Sequence, residues 1–225
     1  MTAPTVAAAA TTGPPRLYLV TDRDATGGRS LPAVLDVALG AVQTGALAPG
    51  AVAVQLRDKD LNARDLLRLA SELRAITAAR GVRLFVNGRI DVALAVGADG
   101  VHLGDGALPI DDVRAIGPGL QIGVSTHSAA EAMRWAADSR VCFVVLGPIF
   151  ETPSKRAYGP PLGLEVLRRA CATGARVIAI GGIDAPRAQE CLAAGASGVA
   201  AIRAVLAASA PDRALTSFFG AIERT

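Results

Sequence analysis

The sequence predicts a single (β/α)8 barrel, and three observations carry that prediction. About eight short apolar runs alternate with longer amphipathic stretches along the chain. The runs are apolar throughout rather than alternating, as parallel strands covered on both faces require. The last two runs, finally, each meet glycine before a helical stretch, a pattern that places backbone amides at strand C-terminal ends.

The elements follow in order. Leu17–Val20 is the first strand, with helical spacing over Leu31–Val42. Val52–Leu56 is followed by Ala63–Ala78, and Arg83–Val86 by Asp91–Ala95. Gly100–Leu103 precedes Ile110–Ile116, and Ile122–Val124 precedes Ala129–Ala137. Cys142–Leu146 leads to Leu162–Ala172, Val177–Ile180 to Pro186–Ala194, and Gly198–Ile202 to a last stretch ending near Ile222. A doubly wound sheet is the competing architecture. It usually carries GxGxxG after its first strand, whereas this first strand ends in Val20-Thr21-Asp22.

At 225 residues the chain suits one domain with a large core. Residues 16–225 are assigned to the barrel, and residues 1–15, rich in Ala, Thr and Pro and free of charge, to a disordered tail. That tail lacks the basic segment and long apolar core of a signal peptide. No apolar run approaches the ~20 residues of a membrane span. With 51% hydrophobic and only 4% aromatic residues, Ala, Val, Leu and Ile are expected to fill the interior. The net charge of +3 comes without a basic cluster, which argues against nucleic acid and favours a small anionic substrate. Cys142, Cys171 and Cys191 lack metal spacing and read as small buried hydrophobes in a reducing, cytoplasmic setting.

Polar residues at the strand C-terminal ends are the site candidates, because that face of a barrel gathers its chemistry. Gln55, Arg57 and Lys59 alternate onto one face, a cationic clamp with Arg57 as fork and Lys59 as point charge; local ion pairs to Asp58 and Asp60 are the plainer alternative. Asn87, Arg89, Asp105 and Ser125 continue the ring. His127 opens the fifth helical stretch and is the acid/base candidate, since imidazole exchanges a proton near neutral pH. His102 lies inside a strand run and reads as a hydrogen-bonded core or rim residue rather than a catalytic one. Gly147–Pro161 is the longest loop and is expected over the active face; its Thr152, Ser154 and Lys155 are candidate anion ligands. Gly181 and Gly182 after the seventh strand, and the Ile202–Arg203 amides after the eighth, form the predicted phosphate cradle.

With these residues assembled, the chain resembles the thiamine phosphate synthase/thiazole tautomerase family of small (β/α)8 barrels. The stretches that carry the likeness are LYLVTD (17–22), VQLRDK (54–59), FVNGRIDVAL (85–94), GVHLG (100–104), GVSTH (123–127), GPIFETPSK (147–155), AIGGI (179–183) and AGASGVAAI (194–202). The resemblance implies that Gln55, Arg57, Lys59, Asn87 and Lys155 line a pyrimidine and pyrophosphate side, that Ser125 lies near the reacting ring, and that Thr152, Ser154 and Gly182 hold a thiazole phosphate. In synthases of this family, Mg²⁺ sits on an aspartate after the asparagine and on a second one just beyond the GVHLG strand. This chain has Gly88 and Ala107 at those positions, with Asp105 as a displaced substitute.

Asn-Gly-Arg and Phe-Glu-Thr, by contrast, resemble the tautomerase branch, where a histidine at the position of His127 relays a proton and no metal is needed. The expectation is therefore a metal-independent thiazole tautomerase without cofactor. A Mg²⁺-dependent thiamine phosphate synthase is the alternative, and a non-catalytic thiazole-phosphate-binding regulator a third reading. The expected partner is a small phosphorylated thiazole, with no nucleic acid and no membrane, and the alanine-rich outer helices allow a homodimer. Arg203 stands where synthases commonly have a small residue, so it either strengthens phosphate binding or faces solvent.

Overall fold

The computed structural model describes residues 13–44, 50–152 and 159–224. Eight parallel strands close into a barrel in chain order: β1 Leu17–Val20, β2 Val52–Leu56, β3 Arg83–Asn87, β4 Gly100–Leu103, β5 Gln121–Thr126, β6 Phe143–Leu146, β7 Val177–Ala179 and β8 Gly198–Ala201. Pairing of Leu17 with Val199 joins β8 back to β1. The outer helices are α1 Leu31–Gly40, α2 Ala63–Ala78, α3 Ile90–Ala95, α4 Ile110–Ile116, α5 Ala129–Ala136, α6 Gly163–Cys171, α7 Ala185–Ala193, α8 Arg203–Leu206 and α9 Pro211–Glu223. Of the proposed tail, residues 1–12 lie outside the described residues. Gly13 and Pro15 belong to the barrel's underside, where Pro15 is buried and the Gly13 carbonyl accepts from Arg83.

Most element ends shift from the sequence reading by one or two residues, and two of the differences have local reasons. β5 runs from Gln121 to Thr126 because its neighbours supply partners at both ends, Gly100 opposite Gln121 and Leu146 opposite Thr126. The last helical stretch is broken into α8 and α9. Pro211 is fixed for a helix's first turn but forces the preceding residue out of helical geometry, and Ala210 sits at φ −124°, ψ 84°.

Strand parity divides the core. One set of side chains points outward under the helices, among them Leu17, Leu19, Val54, Leu84 and Val101. The other set fills the barrel: Tyr18, Val20, Ala53, Phe85, Phe143, Val145, Ile178 and Ala200. Aliphatic side chains fill most of the interior, as expected, and three aromatic rings hold its centre. Tyr18, Phe85 and Phe143 meet edge to face, with centroids 5.3 to 5.6 Å apart.

Glycine makes that packing feasible. A Cβ at Gly100 would lie 2.4 Å from the Phe85 ring, and one at Gly123 would lie 2.6 Å from the Phe143 ring. Large and small residues therefore complement each other across neighbouring strands. Gly123→Ala is expected to destabilise the fold by about 1–3 kcal/mol, the usual cost of overpacking. Urea unfolding monitored by circular dichroism checks this; an unchanged midpoint would show that the rings can give way.

Candidate active site

The inward parity that places rings at the barrel's centre continues to its mouth. On β2, Ala53 faces in, then Gln55, then Arg57. On β3, Phe85 is followed by Asn87, and on β5, Gly123 by Ser125 and then His127. Alternation thus brings residues from separate strands onto one rim. Gln55 is buried and donates to the Asn87 Oδ1 at 2.9 Å, fixing both amides.

Arg57 is half-buried. The Thr21 hydroxyl accepts from its backbone N–H at 2.9 Å, which holds the rim segment in place. The local pairing with Asp58 that competed with the clamp goes elsewhere. Asp58 is taken by Arg23 and also accepts from the Leu61 amide. Among the described residues no ion pair neutralises Arg57, so its guanidinium is available to an anion. Lys59 is exposed beyond it. Arg89 instead lies in a fork with Asp91, at 2.9 and 2.6 Å.

His127 stands just past β5, with its side chain about half exposed between the β4 and β6 loops. Three contacts set it. Glu131 accepts from its backbone N–H at 2.7 Å, while the Ser128 hydroxyl caps α5 by accepting from the Glu131 amide. The Gly147 carbonyl lies 3.2 Å from Nδ1 and can only accept, so in the tautomer that makes this bond Nδ1 is the donor. Asp105 Oδ2 lies 3.6 Å from the His127 Nε2.

The glycine turn after β7 has a packing reason as well as a chemical one. Gly181 and Gly182 adopt φ of +103° and +64°, and a Cβ at Gly182 would lie 2.5 Å from the Glu151 carbonyl oxygen. The β6 loop docks on this turn, Ile149 N–H donating to the Ile180 carbonyl and Phe150 N–H to that of Gly181. Arg187 braces both, donating to the Gly182 carbonyl at 2.7 Å and lying 4.9 Å over the Phe150 ring. Among the described residues, the amides of Gly181, Gly182, Ile202 and Arg203 donate to no carbonyl or side chain. Continuing the β7–β8 register sets Gly182 beside Ile202, so the two groups of amides adjoin. Thr152 is half-buried at the end of the described part of the β6 loop, and Ser154 and Lys155 lie outside the described residues. The Arg203 side chain is exposed.

Mg²⁺ prefers near-octahedral oxygen ligands, and the mouth offers few of them. Gly88, at φ +66°, and Ala107 supply no side-chain oxygen, and Asp105 faces His127. Among the described residues no three His, Cys, Asp or Glu side chains converge. These residues do not fit a protein-held divalent cation. The thiols are no better suited, since burial pushes Cys171 up to about 11 and Cys191 up to about 12. Cys191 is buried as the sequence suggested, whereas Cys142 and Cys171 are half-buried.

Sequence reasoning missed how His102 is used. It is 1% exposed, 2.9 Å from the Ser125 hydroxyl and 3.4 Å from that of Tyr18. The missing side chains of Gly100 and Gly123 were the available signal for the room such rings occupy.

A barrel whose mouth gathers unneutralised cationic groups, a presented imidazole and unpaired backbone amides is a barrel for small anions. Comparison sharpens this. A family model described as thiamine monophosphate synthase matches residues 17–205, and the chain belongs to that family of thiamine-biosynthesis enzymes. It is 42% identical over 208 residues to a thiamine-phosphate synthase of Roseiflexus sp., covering 92% of this chain and 84% of that protein. To a thiamine-phosphate synthase of Albidiferax ferrireducens it is 44% identical over 198 residues, 87% and 86% of the two chains. Among solved structures, a thiamine phosphate pyrophosphorylase from Pyrococcus furiosus superposes with a TM-score of 0.80 at 33% identity, covering 93% and 96%. No helix among the described residues is long and apolar enough to cross a membrane.

Burial pushes the His102 imidazole down to about 3, with the nearby Arg57 charge adding to the effect, against an ordinary 6.5. Between those values the unfolded chain binds a proton that the folded chain refuses. The contribution is therefore whole above pH 6.5 and is lost as pH falls from 6.5 towards 3. The slope is at most about 1.4 kcal/mol per pH unit. Urea unfolding across that window should show a shallower pH dependence for His102→Gln than for the wild type; equal slopes would show that His102 does not titrate on unfolding.

Proposed function

We propose that this chain is a thiazole tautomerase: a metal-independent isomerase that moves one proton within a thiazole carboxylate phosphate. The observation that carries this reading is the pairing of a presented imidazole with an absent metal donor set. His127 offers Nε2 at the mouth while Gly88 and Ala107 supply no carboxylate.

In this scheme the substrate phosphate lies on the amides of Gly181, Gly182, Ile202 and Arg203, with Thr152, Ser154 and the Arg203 side chain beside it. Arg57 and Lys59 steady the carboxylate, aided by Lys155, and Gln55, Asn87 and Ser125 border the ring. His127 Nε2 takes a carbon-bound proton, and the electrons of that C–H bond enter the conjugated system. The double bond shifts, and the imidazolium returns the proton at the far end of the three-atom unit, leaving the aromatic tautomer. Proton count and charge are unchanged, and Asp105 stabilises the transient imidazolium. A bound phosphate and a fixed base suffice for such a shift. The setting that fits three free thiols is cytoplasmic.

A second reading, thiamine-phosphate synthase, is supported by the names of the relatives, which speak for it more directly than for the first. Under it, Mg²⁺ would have to rest largely on substrate phosphate oxygens, since the donor set here does not hold it.

One pair of assays separates the readings. Conversion of the non-aromatic thiazole carboxylate phosphate is expected in the presence of EDTA, and His127→Asn should lower it by about 10²–10⁴-fold. Coupling of hydroxymethylpyrimidine pyrophosphate to thiazole phosphate is expected to be negligible with or without Mg²⁺. Strong Mg²⁺-dependent coupling would overturn the isomerase reading in favour of the synthase. Ligand binding without either activity, indifferent to His127→Asn, would favour a regulator.

A further inference from the structure

Beneath the mouth runs a polar chain that the proton shift itself does not use, formed by Tyr18 on β1, His102 on β4 and Ser125 on β5. The Tyr18 hydroxyl lies 3.4 Å from His102 Nδ1, and His102 Nε2 lies 2.9 Å from Ser125 Oγ. Tyr18 and His102 are sealed in the barrel, at 0% and 1% exposure, whereas Ser125 is only partly buried and borders the mouth. Gly123 makes room for the ring, since a Cβ there would lie 2.9 Å from Nδ1.

Counting protons fixes the direction of these bonds. His102 stays neutral in this buried setting and has a single N–H to place. The Tyr18 phenol keeps its proton, burial raising it well above its ordinary range. Among the described residues, His102 Nδ1 is the only side-chain partner of that phenol. Were the phenol to accept there, its own O–H would be buried without an acceptor, at a cost of about 1–3 kcal/mol. Tyr18 therefore donates to Nδ1. The single imidazole proton then sits on Nε2 and is donated to Ser125 Oγ. A serine hydroxyl whose oxygen already accepts has its own proton free for a ligand.

We propose that the buried Tyr18–His102 pair is a positioning device, holding the Ser125 hydroxyl as a hydrogen-bond donor aimed at a lone-pair acceptor on the substrate heterocycle. This rests on reading the mouth as a thiazole phosphate site. Tyr18 and His102 touch no substrate and act through Ser125.

The tautomer is measurable without any substrate. The chain has only two histidines, so His127→Asn leaves one imidazole to observe by ring ¹⁵N NMR. The expected spectrum is a neutral ring protonated on Nε2, unchanged between about pH 5 and pH 8. A ring protonated on Nδ1, or one that titrates in this range, would overturn the proposal.

The second measurement is a double-mutant cycle. Tyr18→Phe keeps the ring but removes the donor, and is expected to lower kcat/KM on the thiazole carboxylate phosphate by about tenfold. On a Ser125→Ala background the same substitution should have no further effect, because the hydroxyl it orients is gone. Additive losses would overturn the proposal. If the chain does not turn that compound over, the isomerase reading fails by itself, and the cycle is read from the calorimetric Kd of thiazole phosphate, with the same non-additivity expected.

Discussion

Closure of the sheet is the constraint on which everything else depends. Once β8 pairs with β1, each strand has one face sealed inside and one under a helix, and alternation decides every side chain's fate. The same two-residue step that puts Tyr18, Phe85 and Phe143 in the centre lifts Gln55, Asn87 and Ser125 to the rim. A one-residue slip in any strand would exchange core for rim along its whole length. The site thus shares its register with the core. The rings also form a floor beneath it, and that floor excludes water from below.

The electrostatics of the rim follow from who takes which partner. Arg23 holds Asp58 and Asp91 holds Arg89, so nearby charges are cancelled in pairs. Arg57 is left out of these pairings, and its field reaches far enough to disfavour protonation of His102. The amides behind β7 and β8 add partial positive charge without any titratable group.

Much of this was legible in the sequence, and the rest failed for identifiable reasons. Eight apolar runs in one chain pointed to the barrel because parallel strands buried on both faces leave a period-free signal. Rim residues were legible because glycine, proline and polar residues gather where strands end. The interior rings were not, because composition counts aromatic residues without saying which face of a strand they occupy. Tyr18, Phe85 and Phe143 are three of only eight aromatic residues, yet all share the inward face. His102 was expected in a hydrogen-bonded core or rim role and is buried, but its partners come from β1 and β5, and cross-strand neighbours are invisible until the register is known. The break at Pro211 was readable in principle, since proline opens helices and unsettles the residue before it.

The family likeness and the local chemistry pull in different directions, and physical scale explains how both hold. Strand register, the glycine turn and the free amides after β7 and β8 would serve any enzyme that grips a thiazole phosphate, whatever step follows. Expelling pyrophosphate concentrates several negative charges on one leaving group, and neutralising them calls for a divalent cation held by carboxylates. Moving a proton across three atoms creates far less charge separation, and an imidazole braced by a carbonyl can manage it. On the isomerase reading, a barrel with Gly88 and Ala107 keeps what both reactions share and lacks what only one demands. On that reading, overall identity to named synthases weighs every strand and turn alike, whereas two positions at the mouth set the chemistry that the common apparatus serves.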